Sequence, residues 1–231
     1  MATLSRSRAA ATELLDGEHL DPGDLRVNLR EMARLNRLPG GVGDSIRAVL
    51  RLLDGLTDAT DASVLDAGIG SGDFVRRLAR RLPGVRVIGF DAHPQVLGVA
   101  ARNLAGTDHV TLLEADVRSI PLADASVDVA HASLLLHHLD PADAVAGLRE
   151  MRRVARRGVV VNDLRRGPLA FAVSAATVLA LSRGRYTRHD GVLSARRAYT
   201  LEELDDLARS AGLRRVARTW ALLPRVTTVY R

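Results

Sequence analysis

Three aspartates stand where a chain of this kind could do chemistry. Asp66 closes the apolar run "SVLD", Asp91 closes "VIGFD" twenty-five residues on, and Asp116 follows "LLEA". Directly behind Asp66 come Gly68, Gly70 and Gly72, in G-x-G-x-G spacing. A strand, a glycine turn and a helix start together offer unpaired backbone N–H groups, a positive dipole end and room for close approach. Dinucleotide sites use G-x-G-x-x-G there. Here Asp73 takes the place of the third glycine. It would repel a pyrophosphate while suiting the helix dipole.

Asp66, at the C-terminal end of a strand, can attract a cation such as an α-amino group or a sulfonium. Asp91 can accept bonds from two ribose hydroxyls. Asp116 can accept from an adenine amino group, with Val117 covering a face of the ring. Each feature also has an ordinary structural use, as a tight turn or a helix cap. Taken together on successive strands, they describe an adenosine that carries an amino acid and no phosphate. That ligand is S-adenosyl-L-methionine, which becomes S-adenosyl-L-homocysteine after methyl transfer.

A second group follows the fourth strand. His137 and His138 are candidate bases, since histidine titrates nearest neutral pH; packing against the next helix is the alternative for one of them. Asn162 and Asp163 end the fifth strand and could orient an acceptor or cap a helix. Tyr186, Arg188 and His189 fall in a polar stretch that reads as a lid over the acceptor. Arg34 and Asn36 lie in an N-terminal segment that could fold over the cofactor, with Arg34 pairing its carboxylate. No metal-ligand cluster is legible, and no metal is expected.

Composition narrows the classes. The 231 residues suit one α/β domain with additions. Cysteine is absent, which excludes disulfides, thiolate zinc sites and thiol catalysis, and fits a cytoplasmic protein. All 33 basic residues are arginine, so Schiff-base and Walker-type lysine chemistry are excluded. A net charge of +6 could suit nucleic acid, but the arginines are scattered and aromatics make up 3%. Nucleic acid is therefore not the expected partner. No signal peptide is recognised at the N-terminus.

The elements that must position these residues follow from the patterning. Leu25, Leu29, Met32, Leu35 and Leu38 have helical spacing, stopped by Pro39-Gly40-Gly41. "SIRAVLRLLDGL" is a second helix, ended by Gly55. Strands "SVLDAG", "VRVIGFD", "VTLLEAD", "SVDVAHA" and "VVVND" then alternate with helices "DFVRRLARRL", "PQVLGVAARNLAG" and "PADAVAGLREMRRVARRG". Alternation at this interval predicts βαβ units and a parallel sheet. "PLAFAVSAATVLAL" is an apolar helix of fourteen residues, short of the ~20 a membrane span needs. It could wall a greasy acceptor pocket, meet a second subunit or sit in the core. Residues 182–199 read as a loop. Thr200 and Glu203 have capping-box spacing at the head of the next helix. "LRRVARTW" and "RVTTVYR" read as an antiparallel terminal hairpin.

"VLDAGIGSG", "VIGFDAHPQVL", "LLEADVRSIPLADASVDVAHASLLLHHL" and "GVVVNDL" resemble the ordered motifs of class I S-adenosylmethionine-dependent methyltransferases, over residues 60–163. "PLADASVD" and "HHL" are similar to the quinone-biosynthesis group. The flanks "ATELLDGEHLDPGDLRVNLREMARLNRLPGG", "VNDLRRGPLAF" and "DGVLSARRAYTLEEL" are similar to bacterial O-methyltransferases found beside type III polyketide synthases. The resemblance implies a Rossmann-like three-layer α/β fold with a seven-stranded, mostly parallel sheet whose last strands are antiparallel. It implies that Asp66, Gly68 and Gly70 hold the methionine part, Asp91 the ribose, and Asp116 and Val117 the adenine. Ala67, Ala92 and Ser133 join the expected cofactor contacts. The expected division is a helical cover over 1–43 and a methyltransferase domain over 44–231, with 164–199 inserted as apolar helix and lid. The expected activity is O-methylation of a phenolic or polyketide-type small molecule, partly apolar, by a monomer or homodimer. C-methylation of a quinone precursor, methylation of RNA or protein, and a non-catalytic binding module are the alternatives.

Overall fold

The computed structural model describes residues 8–9, 11, 13–17, 19–54, 61–219 and 224–231. Gly55, expected to end the second helix, and Trp220, expected in the terminal hairpin, lie outside the described residues.

Seven strands form one sheet: β1 (Ser63–Ala67), β2 (Arg86–Asp91), β3 (Val110–Glu114), β4 (Val127–Ser133), β5 (Ala155–Leu164), β6 (Arg215–Thr219) and β7 (Arg225–Tyr230). Their order is β3-β2-β1-β4-β5-β7-β6. All pairs are parallel except β7, which runs antiparallel to both β5 and β6. The expected mostly parallel sheet with an antiparallel terminal hairpin is therefore what forms.

Helices cover both faces. On one side lie α2 (Val42–Leu53), α3 (Asp73–Arg81) and α4 (Pro94–Leu104); on the other α5 (Pro141–Val154) and α8 (Leu201–Ser210). Side chains alternate along β1, so Val64 joins the first layer and Leu65 the second. Leu148, Met151 and Val154 of α5 pack there with Leu204 and Ala208 of α8. Each large apolar side chain so buried contributes about 1.5–3 kcal/mol. α1 (Pro22–Leu35) starts with the Asp21 side chain accepting from the N–H groups of Gly23 and Asp24, and Pro22 is at its first turn. It packs through Leu25 and Leu29 against Val96 and Val99 of α4 and against Tyr186.

Two elements differ from the sequence expectation. α5 was expected to run to Gly158 but stops at Val154, and Ala155 enters β5 directly. Ala155 pairs with Val127, and Arg156 bonds the buried Asp128, so sheet pairing overrides the helical pattern of "RRVARR". The stretch expected as a loop contains α7 (Arg185–Arg197), packed on α6 (Pro168–Leu181). Glu31 of α1 accepts the N–H groups of Arg183 and Gly184 at its head, at 2.7 and 3.1 Å. Gly191 looked like a loop residue, but a Cβ there would lie 2.9 Å from Val178. It marks close helix–helix approach, not a turn. The apolar α6 is neither wholly buried nor wholly exposed: Ser174 and Val178 face inward, while Leu169 is 72% exposed. No helix among the described residues is long and apolar enough to cross a membrane.

Candidate active site

The strand order reverses between β1 and β4, and open α/β sheets bind ligands at that switch point. A cavity of about 740 Å³ opens there. Its floor is the β1–α3 loop and the ends of β2 and β4; α1, α6, α7 and the 3-10 turn Leu14–Asp16 roof it. Gly68 and Gly70 have φ of +68° and +54°, a region open to glycine at little cost. A Cβ at Gly68 would come within 3.1 Å of Leu135. Both glycines line the cavity.

The aspartates expected to bind cofactor lie on the cavity wall with unequal surroundings. Asp66 is buried and receives the Nδ1 of His131 at 2.7 Å. Burial raises its pKa against the opposing pull of His131. Asp91 accepts the N–H groups of Gly70 at 3.3 Å and His93 at 3.1 Å, which ties the glycine loop to β2. Burial raises its pKa as well, with those N–H bonds opposing. Asp116 is half-exposed and already holds Arg118 through both oxygens, which keeps its carboxyl below the usual range. Val117 and Ala92 line the cavity beside them.

Behind Asp66 runs a buried polar chain. His131 Nε2 shares a hydrogen bond with Ser45 Oγ at 2.9 Å, and Ser45 Oγ accepts Asn162 Nδ2 at 3.0 Å. Asn162 Oδ1 accepts Arg225 Nε at 3.0 Å and Nη2 at 2.8 Å. Arg225 Nη2 also donates to Ser133 Oγ at 3.0 Å, and Nη1 to Asn36 Oδ1. The His131 ring stacks on Phe74 at 3.8 Å. Arg225 lines the cavity and has no carboxylate within ion-pair distance among the described residues. Burial pushes its guanidinium down to about 10. Asp163 and Asp44 oppose that shift from a distance, and a half-buried cation so placed is better satisfied when an anion meets it.

At the other end of the cavity stands His137, buried, with Nδ1 2.6 Å from Asp163 Oδ1. Burial would raise the Asp163 pKa, but His137 outweighs it and holds the carboxyl below its ordinary range. In the neutral ring, Asp163 as acceptor fixes the proton on Nδ1 and leaves the lone pair on Nε2. His138 packs beside it, ring centroids 4.3 Å apart, with Nδ1 2.8 Å from Asp16 Oδ1. Asp16 is pushed down to about 2: burial opposes, and the bond to His138 prevails. Glu13 is pushed up to about 7, chiefly by burial.

Several expected contacts lie elsewhere. Arg34 is exposed and outside the cavity lining; its neighbour Asn36 is the one that faces inward. Ala67 is enclosed in β1 between Phe90 and Ala132. Asn162 is not on the cavity surface: it binds the Gly40 and Gly41 carbonyls and so holds the α1–α2 turn. Asp163 is behind His137, not on the surface. Tyr186 is buried and accepts the Asp21 N–H, while Arg188 is exposed outside the lining. The sequence did not single out His131, Ser45, Arg225, Glu13, Asp16 or Arg197. Arg225 is one of 33 arginines, and nothing local distinguishes it. His131, a lone histidine in an apolar strand, was the one readable signal.

The fold and this cavity define a class I methyltransferase architecture. Residues 64–158 match the model of a methyltransferase domain, and the cofactor of such a domain of this class is S-adenosyl-L-methionine. The chain is 34% identical over 128 residues to the malonyl-[acyl-carrier protein] O-methyltransferase of Dechloromonas aromatica, covering 54% of this chain and 44% of that protein. It is 37% identical over 97 residues to the demethylmenaquinone methyltransferase of Deinococcus radiodurans, covering 41% of this chain and 39% of the other. The chain thus spans less than half the length of these curated relatives. A SAM-dependent methyltransferase from Aquifex aeolicus shares the fold, with a TM-score of 0.62 at 19% identity, over 92% of this chain and 98% of that one.

Proposed function

We propose that this chain moves a methyl group by in-line displacement to a small-molecule acceptor, a hydroxyl oxygen of a phenolic or polyketide-type metabolite. The observation that carries this reading is a single roofed cavity with an acidic, glycine-lined end and, at its other end, a histidine held by a buried aspartate.

S-adenosyl-L-methionine, when bound, supplies an electrophilic methyl on a sulfonium. The residues fit it. Asp66 would accept the α-amino group, and the half-buried Arg225, with no carboxylate at ion-pair distance among the described residues and with Asn36 and Ser133 beside it, would receive the carboxylate. Gly68 and Gly70 allow the backbone close approach. Asp91 accepts the ribose hydroxyls; Asp116 and Val117 take the adenine, with Ala92 alongside. His137 would stand at the end of the cavity left for the acceptor. The Nε2 lone pair there is what a hydroxyl needs as it gives up its proton, an effect typically worth ~10²–10⁴-fold. Alignment in a closed cavity supplies up to roughly 7–11 kcal/mol in ideal cases, and the roof excludes competing water.

The roof also supports a small acceptor over a nucleic acid or a folded protein. α6 contributes Val178, and α1 contributes Leu29 and Met32, an apolar part of the lining for a partly apolar molecule. Incubation with methyl-labelled cofactor and three pools (phenolic lipids, total RNA and protein extract) is the test. Label in the phenolic pool is expected. Label in RNA or protein alone overturns the small-molecule reading.

A further inference from the structure

Glu13, His137 and His138 meet at the proposed acceptor end, each with one ligating atom within 4.8 Å of the other two. All three line the cavity. Glu13 is 3% exposed, and its Oε1 accepts no hydrogen bond among the described residues. Arg197 Nε stands off from it at 3.9 Å. A buried carboxylate oxygen without a donor is costly unless a positive charge meets it.

His137 is oriented as a metal ligand is: Asp163 holds its Nδ1 at 2.6 Å, so Nε2 is the atom left for a ligand. His138 Nδ1 lies 3.6 Å from Glu13 Oε2 and 2.8 Å from Asp16 Oδ1. A carboxylate behind a ligating imidazole fixes the ring and raises its basicity. Charge agrees with this. Glu13, Asp16, Asp163 and Asp190 crowd the pair, against Arg197 and Arg8. Asp190 accepts the N–H groups of Leu14 and Leu15, so it also anchors the turn that presents Glu13.

We propose that Glu13, His137 and His138 bind a divalent first-row transition cation, with zinc the ion this donor set suits best. Two imidazoles, one carboxylate and a position open to the cavity form a set that such zinc sites use. Zinc bonds of about 2.0–2.1 Å place neighbouring ligands about 3.3 Å apart. The donors therefore close by about 1.5 Å at most, a side-chain adjustment of Glu13. The inference rests on the proposed function and deepens it: the His137 lone pair serves the acceptor through the cation instead of taking the proton itself. An acceptor hydroxyl on the open position loses its proton to solvent more readily. Its oxygen keeps the electron pair that forms the new bond to the methyl carbon as the carbon–sulfur bond breaks.

The test uses the full chain stripped with chelator. Zn²⁺ is titrated by calorimetry, and Co²⁺ is followed by its visible absorption. One equivalent is expected to bind. Glu13→Gln and His138→Ala should each weaken binding by more than about 100-fold and remove the Co²⁺ band, and Asp163→Asn should weaken it by about 10–100-fold. S-adenosyl-L-homocysteine binding, read on every variant, should be unchanged and marks folded protein. Protein that binds this nucleoside but no stoichiometric metal overturns the inference and leaves the proposed function standing. So does metal binding that survives both ligand substitutions. Failure of the unsubstituted chain to bind the nucleoside strikes the proposed function instead.

Discussion

Between Asp66 and Arg118 the cofactor end of the cavity is made from consecutive strand termini, each followed by its own loop. The acceptor end is assembled from distant pieces. Arg197 reaches Asp16 across 181 positions of sequence, and Leu14 N–H reaches Asp190 across 176. The first region needs only the sheet to exist, because strand register alone puts Asp66 beside Gly89 and Asp91 beside Glu114. The second exists only once α1, α6 and α7 have docked. Its polar atoms are held by long-range bonds instead of backbone geometry. The lesson is that one end is fixed by local structure and the other by closure of the chain on itself, which carries the larger entropic cost.

The comparison predicts separable failures. The largest is His137→Ala. Turnover should fall by ~10²–10⁴-fold while S-adenosyl-L-homocysteine affinity by calorimetry stays the same. Equal loss of both would erase the distinction between the two ends. Next is Asp91→Ala, where two charge-assisted bonds at about 1.5–3 kcal/mol each point to at least ~100-fold weaker nucleoside binding. Its circular dichroism should be unaltered; unchanged affinity would remove Asp91 from the ribose role.

Gly191→Ala probes the closure itself. Its new methyl meets Val178, so overpacking should lower stability by about 1–3 kcal/mol in denaturant unfolding. Acceptor KM should rise while nucleoside affinity holds. A variant as stable as the parent would mean that α6 and α7 can part freely. Asp116→Asn should be the mildest. Its exposed pair with Arg118 contributes about 0–1 kcal/mol to stability, so the melting temperature should barely move. A large destabilisation would show the pair to be structural.

The sheet was legible because short apolar runs, alternating with helical stretches and set off by turn residues, admit few other structures. The candidate cofactor residues were legible because they sit at the ends of those runs. Where the pattern was followed too far, pairing decided: "RRVARR" is helical by spacing, yet β4 takes Ala155 onward as strand. Where a glycine was taken as a loop signal, packing decided, since Gly191 is the point at which α7 touches α6. Tyr186 and Arg188 were expected at the acceptor because they lay in that stretch. The helix instead turns Tyr186 into the core and Arg188 outward.

By itself the sequence determined the order of the strands and of the helices other than α7, the glycine turn and the three acidic positions, all legible in short runs of sequence. Tertiary structure alone decided that Arg225 faces the cavity with no carboxylate at ion-pair distance among the described residues, that Asp163 holds His137, and that Glu13 meets both histidines. The physical reason is range. Backbone preference and alternation act over a few residues, whereas a buried charge or lone pair acquires its partner only when segments far apart in the chain exclude water together.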